Sequence, residues 1–401
     1  MLCFFGSLHS QSGCTDPQAD NYDELAMLND GSCSYPVTAY TLGQIAVLPD
    51  QLIENSGLAH LTEGLYTQND AGNANEIYRI DPLDGSIQQT LLVIGTNKDW
   101  EDMAESDTHI YLGDFGNNDG NRTDLRIYKI DKAELGNSVL NAQPINFSFA
   151  DQTDFSENNN NHDYDCEAFF FHNDSLHLFT KNWMDNQTRH YTILAEPGFH
   201  TALPRFTFDV DGLITSADIN EEGTIALLGY TEVGLNFMWL LYDYKDNSFF
   251  SGNKRRIGLG SGLVNSQTEA ITFKDNDSGY ISSEQFDLGQ VELPPRLMSF
   301  NVDQWVTWTM VSAITTTTSV PAIKPFPNPF SDELILDLSE NWLKSGTELR
   351  LFDTNGKLLL SREYMPSGSE ITLGGLNDLA PGIYMIQAIS KDHFWQGKVV
   401  K

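Results

Sequence analysis

The sequence is poor in basic residues. Lys and Arg number 23 against 56 Asp and Glu, for a formal net charge of −33. A surface of this sign repels nucleic-acid phosphates and anionic membrane surfaces, which excludes both as partners. It suits hydrated cations, neutral glycans or basic partners. No apolar run approaches the roughly 18–20 residues of a membrane-spanning helix. No His has a partner at metal-motif spacing, so zinc is unsupported. The chain also lacks a Gly-x-Ser-x-Gly elbow and a phosphate-binding glycine loop. Hydrophobic residues at 40% and aromatics at 11% are enough for a packed interior, which argues against wholesale disorder. At 401 residues the chain is too long for one ordinary core, and two or three domains are expected.

The charge is unevenly spread. Residues 324–401 hold 8 basic and 10 acidic residues, net −2, so residues 1–323 hold 15 and 46, net −31. The tail is therefore a separate unit.

Residues 1–10 are apolar, then small and polar, with Leu8 and Ser10 at −3 and −1 of a cleavage site. This resembles the second half of a secretory signal peptide, with a translation start upstream of Met1. Cleavage after Ser10 removes Cys3. Cys14 and Cys33 then bracket an acidic segment, residues 11–36, and an exported chain permits a disulfide between them. The segment resembles the "GCTDP…NY…A…DGSC" module of exported proteins from Bacteroidetes-type bacteria. Its carboxylates can hold Ca²⁺, although it lacks the EF-hand order. Cys166 is left over and reads as a buried small hydrophobe rather than a nucleophile.

Residues 313–323 are Thr-rich, end in Pro, and read as a linker. Beyond them, short alternating segments separated by turn residues predict a small Ig-like β-sandwich over residues 324–401. Pro327, Asn328 and Pro329 open this region. Asp353 and Gly356 follow a hydrophobic run, Gly382 and Tyr384 sit in a Leu-Ala-Pro-Gly-Ile-Tyr stretch, and Lys398 and Lys401 frame Lys-Val-Val-Lys. The order and spacing resemble the type A sorting domain of the type IX secretion system. That resemblance implies passage through the outer membrane, removal of the tail, and release or attachment to surface lipopolysaccharide. Type IX machinery is then the expected partner, and the medium or outer cell surface the expected location.

Between residues 37 and 312 a weak repeat recurs, and its units start at Ser56, Glu101, Glu167, Ser216 and Glu269. Each unit has two apolar runs, then a third, and a fourth in several. Four strands per roughly 50-residue unit is the signature of a propeller blade. Five blades are expected, with six as the variant count and a stacked β-solenoid as the structural alternative. A strand over residues 40–47 is placed to complete the last blade and remove exposed edges. The longest step contains a polar insert, residues 151–163, that reads as a loop.

Aligning the units puts Ser56, Glu101, Glu167, Ser216 and Glu269 at one position near the central channel. It puts Gln68, Asp114, Lys181, Tyr230 and Glu284 at a second. Glu101, Glu167 and Glu269 are thus expected to converge within one ion's reach, with Asp114 and Glu284 in the surrounding shell. Crowded carboxylates raise one another's pKa unless a cation neutralises them. Such a set suits Ca²⁺ or acid/base work on a glycosidic bond. The loop over residues 113–124 is dense in oxygen donors and reads as a cation loop or a polar turn. Trp100 and Trp183 lie beside the funnel positions and offer rings for stacking on a sugar, or for core packing.

The pieces beginning at Trp100, Cys166 and Thr268 resemble the repeats of phytase-like and esterase-like propeller proteins, and loosely those of calcium-dependent lactonases. The resemblance implies an acidic, metal-bearing centre. The expected function is a secreted or cell-surface propeller binding a ligand, with Ca²⁺, at this funnel. The alternative is a secreted hydrolase of a phosphoester, lactone or glycoside using the same carboxylates.

Overall fold

The computed structural model describes residues 11–287, 289, 292–306, 325–337, 347–352, 358–364, 370–377, 379–390 and 394–401. The expected signal residues 1–10 and linker 313–323 lie outside them. The chain divides into two compact units, Met1–Trp308 and Thr309–Lys401.

The first unit is a β-propeller. Blade 1 is Asn55–Leu61, Gly64–Asn69, Glu76–Ile80 and Ile87–Ile94, an antiparallel meander. Blade 2 runs through Trp100–Glu105, His109–Asp114, Arg126–Asp131 and Val139–Phe149. Blade 3 is Asp165–His172, Ser175–Lys181, Gln187–Leu194 and Gly198–Asp209. Blade 4 is Leu213–Ile219, Ile225–Tyr230, Leu235–Tyr242 and Asn253–Ser261. Blade 5 takes Gln267–Phe273, Ser278–Glu284 and Arg296–Asn301 from one end of the unit and Gly43–Val47 from the other. The early strand therefore closes the ring, and five blades are present among the described residues.

Packing closes the same circle. The innermost strand of each blade neighbours that of the next, and the fifth returns to the first. These strands are buried on both faces, so they read as short apolar runs, whereas outer strands such as Ile87–Ile94 alternate. One apolar cluster fills each gap between blades. Ile77 and Leu91 meet Trp100 and Leu112, and Phe115 and Phe147 meet Phe169 and Tyr191. Phe170 and Phe179 meet Ile214 and Phe237, and Leu228 and Met238 meet Ile271 and Met298. The last gap joins Ala270 and Leu297 to Leu58 and Ile80. Burial at roughly 25 cal/mol per Å² of apolar surface makes these gaps the main stabilising term.

Near the axis, two carboxylates, buried Asp102 and half-buried Asp218, tie blades together. Asp102 of blade 2 accepts from the Phe169 N–H of blade 3 at 3.2 Å, and from the Ala217 N–H and Ser216 Oγ of blade 4 at 3.1 and 3.0 Å. Asp218 of blade 4 accepts from the Phe273 N–H of blade 5 at 2.7 Å. Ser216 is therefore a blade-to-blade link rather than part of a ligand ring, and its Oγ also accepts from the Ile271 N–H.

Cys14 and Cys33 are joined in a disulfide. Their loop docks on blade 4. Asp16 is buried, and its Oδ2 accepts from the Tyr242 and Tyr35 hydroxyls at 2.6 and 2.8 Å. Lys254 Nζ donates to the Gly31 carbonyl at 3.0 Å. Asp16 thus serves packing rather than a cation.

In the second unit, a sheet of Pro325–Phe326, Glu333–Asp337 and Glu370–Gly374 shares one core with a four-stranded sheet. The latter comprises Thr347–Phe352, Leu358–Tyr364, Ile383–Ser390 and Phe394–Val400. Leu334, Leu336 and Leu373 pack against Leu349, Leu351 and Ile386 between the two layers.

Candidate functional site

One end of the propeller carries a cavity of about 210 Å³, lined by starts of inner strands, ends of second strands and the loops that follow them. Glu101, Glu167, Glu269 and Glu284 all line it, with Ser56, Lys181 and Tyr230. The three glutamates of the repeat alignment thus share one cavity wall, but they do not form the group within one ion's reach: among the described residues that group is Asp70, Asp99 and Glu101. A strand irregularity does the aiming for two of the three glutamates. Pairing skips from Cys166 to Ala168 in blade 3 and from Thr268 to Ala270 in blade 5, which frees Glu167 and Glu269 from the ladder. A bulge of this kind re-aims a side chain.

The same irregularity corrects the alignment elsewhere. In blade 4 the skipped residue is Thr215, not Ser216. In blade 1 the residue in register with Asp114, Lys181, Tyr230 and Glu284 is Asn69, not Gln68. Gln68 turns inward, and its Nε2 donates to the Glu101 carbonyl at 3.0 Å.

Asp114 does not line the cavity. Its Oδ1 is 2.9 Å from Arg122 Nη2, its Oδ2 is 3.6 Å from Arg126 Nε, and it accepts from the Asp99 N–H at 3.1 Å. It is a brace behind the site. The loop over residues 113–124 is internally satisfied in the same way. Arg122 donates to the Gly116 carbonyl, and Asn117 Nδ2 to the Tyr164 carbonyl, at 2.7 and 2.9 Å. This makes it a polar turn that delivers Asn118 to the cavity wall. Trp100 is core: it is fully buried, packs on Tyr128, and donates to the Thr96 carbonyl at 2.8 Å. Trp183 does line the cavity, held by an Nε1 hydrogen bond to Asp165 Oδ2 at 2.9 Å. Cys166 is buried beside these acids, and burial pushes its thiol well above the usual range, so it is no nucleophile.

The structure adds two acids that the repeat did not single out. One oxygen each from Asp70, Asp99 and Glu101 lie within 4.8 Å of one another. Asp70 follows the second strand of blade 1, and Asp99 precedes the first strand of blade 2. Gly116 lies against both Asp99 and Glu101, and a Cβ there would run into their carboxylates. An acid just upstream of Trp100-Glu101 was the available signal for Asp99.

The electrostatics follow from burial and crowding. Burial, then Glu167, Asp70 and Asp99, push Glu101 well above the usual carboxylate range. Burial and the charges of Asp70 and Asp165 raise Asp99 to about 7. Burial and Glu269 raise Glu284 to about 9. Asp70 and Glu269 are raised too, chiefly by burial. Lys181 Nζ lies 3.2 Å from Glu167 Oε1. Burial works against its charge, but Glu167, Tyr230 and Glu269 hold the ammonium well above its ordinary range. Within the cavity wall one buried cation, Lys181, thus faces five lining carboxylates, Asp70, Glu101, Glu167, Glu269 and Glu284, with Asp99 grouped behind Asp70 and Glu101. Glu101, at 5% exposure, has no basic partner among the described residues.

Residues 324–401 match the family described as the secretion system C-terminal sorting domain. The chain carries a type IX sorting tail. The tail marks it for export to the cell surface or the medium through that machinery. Several signature residues hold the tail's last strand. Asn328 Oδ1 accepts from the Val400 N–H at 2.8 Å, and Gly382 and Lys401 exchange backbone bonds at 3.1 and 2.9 Å. Tyr384 donates to the Ala380 carbonyl at 2.6 Å. Asp353 and Gly356 lie outside the described residues.

No curated protein sequence matches the chain. Among solved structures, a gluconolactonase candidate is 10% identical, with 66% of this chain and 98% of that one covered and a TM-score of 0.33. A protein of unknown function from Bacteroides caccae is 9% identical over 75% and 93% of the two chains, at 0.27. A quinonprotein alcohol dehydrogenase-like protein from Bacteroides thetaiotaomicron is 10% identical over 82% and 69%, at 0.30. The propeller assignment rests on the five blades and their packing. No described helix is long and apolar enough to cross a membrane.

Proposed function

We propose that this exported propeller binds a ligand at its funnel through a Ca²⁺ ion held by Asp70, Asp99 and Glu101. The observation that carries the reading is the trio itself: three carboxylate oxygens within 4.8 Å of one another, one of them on buried Glu101 with no basic partner. Ca–O distances of 2.3–2.6 Å make a coordination shell roughly 4.6–5.2 Å across, so one ion spans the set. Without an ion, the crowded acids must hold protons. Hard oxygen donors favour Ca²⁺ over softer metals. The Glu167–Lys181 pair and Trp183 stand beside the trio as the ligand-facing wall. After export, removal of the tail followed by release or lipopolysaccharide attachment is the expected fate of the mature propeller.

Calorimetric titration of the chelator-treated protein with Ca²⁺ tests the reading. One site is expected, weakened at least tenfold, about 1.4 kcal/mol, in Asp99→Asn. An Asp99→Asn titration identical to wild type rejects the trio.

A second reading has its own support. Glu284, raised to about 9, keeps a proton at neutral pH beside Glu269, and a carboxyl in that state can act as a general acid. Turnover of chromogenic phosphoester, lactone or glycoside probes, lost in Glu284→Gln, would favour a hydrolase over a binding protein.

A further inference from the structure

We infer that the cavity takes one neutral, hydroxyl-rich ring, the terminal sugar of a glycan. This inference rests on the cation reading and names the ligand class for the same site.

Size limits the ligand first. About 210 Å³ falls below the roughly 300–1,000 Å³ of pockets for drug-sized ligands. One ring enters, and the remainder of the ligand stays outside.

The wall chemistry limits it further. No aliphatic side chain lines the cavity. Donors and acceptors instead stand side by side. Lys181 Nζ is 3.2 Å from Glu167 Oε1, and Gln267 Nε2 is 2.5 Å from Glu269 Oε1. A hydroxyl both donates and accepts, so it can bridge such a pair. A carboxylate or phosphate only accepts, and would have to approach six acids offset by one Lys and one ion. An ammonium only donates, so it can neither bridge such a pair nor act as a ligand to the ion. Lys181 is 6% exposed and has three N–H donors. Its Nζ lies 3.2 Å from Glu167 Oε1 and over the Trp183 and Tyr230 rings, 5.1 and 5.4 Å from their centroids, so the ammonium keeps donors that can turn to a hydroxyl in the cavity. Hydrated or coordinated Ca²⁺ accepts neutral hydroxyl oxygens as ligands, because it prefers hard oxygen and takes 6–8 of them. The trio alone leaves such positions open. The ion takes hydroxyls on one side of the ring, and the Lys181–Glu167 pair takes one on the other.

The rim fits the rest of the chain of sugars. The insert over residues 151–163 docks on the loop that carries Asn118. The Asn158 N–H donates to the Asp119 carbonyl at 2.8 Å, and the Asn160 N–H to the Asn118 carbonyl at 2.9 Å. The Asn158 and Asn161 side chains are held within the insert and Asn159 Nδ2 donates to Asp119 Oδ1, which leaves the amide of exposed Asn160 beside the mouth to donate and accept.

Ligand-observed NMR on the full chain tests the inference with D-mannose, D-galactose, L-fucose, D-glucuronate and D-glucosamine as probes, with Ca²⁺ or with chelator. A neutral sugar is expected to bind in Ca²⁺ and be released by chelator, while glucuronate does not bind. Lys181→Gln is expected to weaken sugar binding about tenfold or more, roughly 1.4 kcal/mol, and to leave the Ca²⁺ titration in place. If that variant does not fold, Asn118→Ala on the surface loop is expected to show the same separation. Ca²⁺ binding with no neutral sugar bound overturns the ligand class alone. Preferred binding of glucuronate or glucosamine overturns it too. Absence of Ca²⁺ binding overturns the cation reading beneath it.

Discussion

Glu284 gives the funnel a measurable pH signature. Its carboxyl is raised from 4.5 to about 9, first by burial and then by Glu269 and Asp70. Between those values the folded chain keeps a proton that the unfolded chain has lost. Stability from this group is therefore complete below pH 4.5 and is lost as pH rises toward about 9. Each unit in that window costs about 1.4 kcal/mol. From roughly pH 5.5 to pH 7.5 the cost is on the order of a few kcal/mol, or roughly several °C of melting temperature for a domain of this size. Glu284→Gln keeps the size and removes the titration. In chelator, the wild-type propeller transition is expected to fall more steeply with pH than that of the variant, by about that amount. The assay is thermal unfolding of both full-length proteins across the range, followed by near-ultraviolet circular dichroism. Parallel profiles would refute the reasoning, because they would mean that Glu284 ionises alike in both states.

Three further outcomes are expected. Asp102→Ala strands the buried N–H groups of Phe169 and Ala217, at about 1–3 kcal/mol each, and a denaturation midpoint equal to wild type would show that water replaces the carboxylate. Replacing Cys14 and Cys33 by Ala opens the cystine loop and should lower stability by about 3 kcal/mol, with non-reduced peptide mass spectrometry first confirming the linked pair. Deleting residues 325–401 should leave a folded propeller held in the periplasm, and its normal appearance outside the cell would sink the sorting role.

Much of the architecture was legible because inner strands buried on both faces write the clearest apolar runs. Gly43–Val47 was found because a ring needs a closing strand. Asn253–Ser261 was missed because only alternate residues pack, and its Lys, Arg and Gly residues hide the pattern. The parallel pairing of Val139–Asn141 with Leu92–Ile94 between blades left no local signal either. At the site, the glutamates were legible as repeat positions, but the bulges were not. A one-residue slip put Asp102, Thr215 and Asn69 at the register-equivalent positions, with Glu101 one residue before its own. Asp70 and Asp99 escaped because they sit one residue outside strands, where the repeat is weakest. Asp114 was assigned to the ring on register, which is correct, but Arg122 and Arg126 claim its charge.

The most direct test of the central claim is anomalous diffraction from crystals of the protein grown with Ca²⁺. The account predicts one ion in the funnel within about 2.3–2.6 Å of oxygens from Asp70, Asp99 and Glu101. Saturating Ca²⁺ with no anomalous peak there, or a peak only elsewhere on the chain, would contradict it.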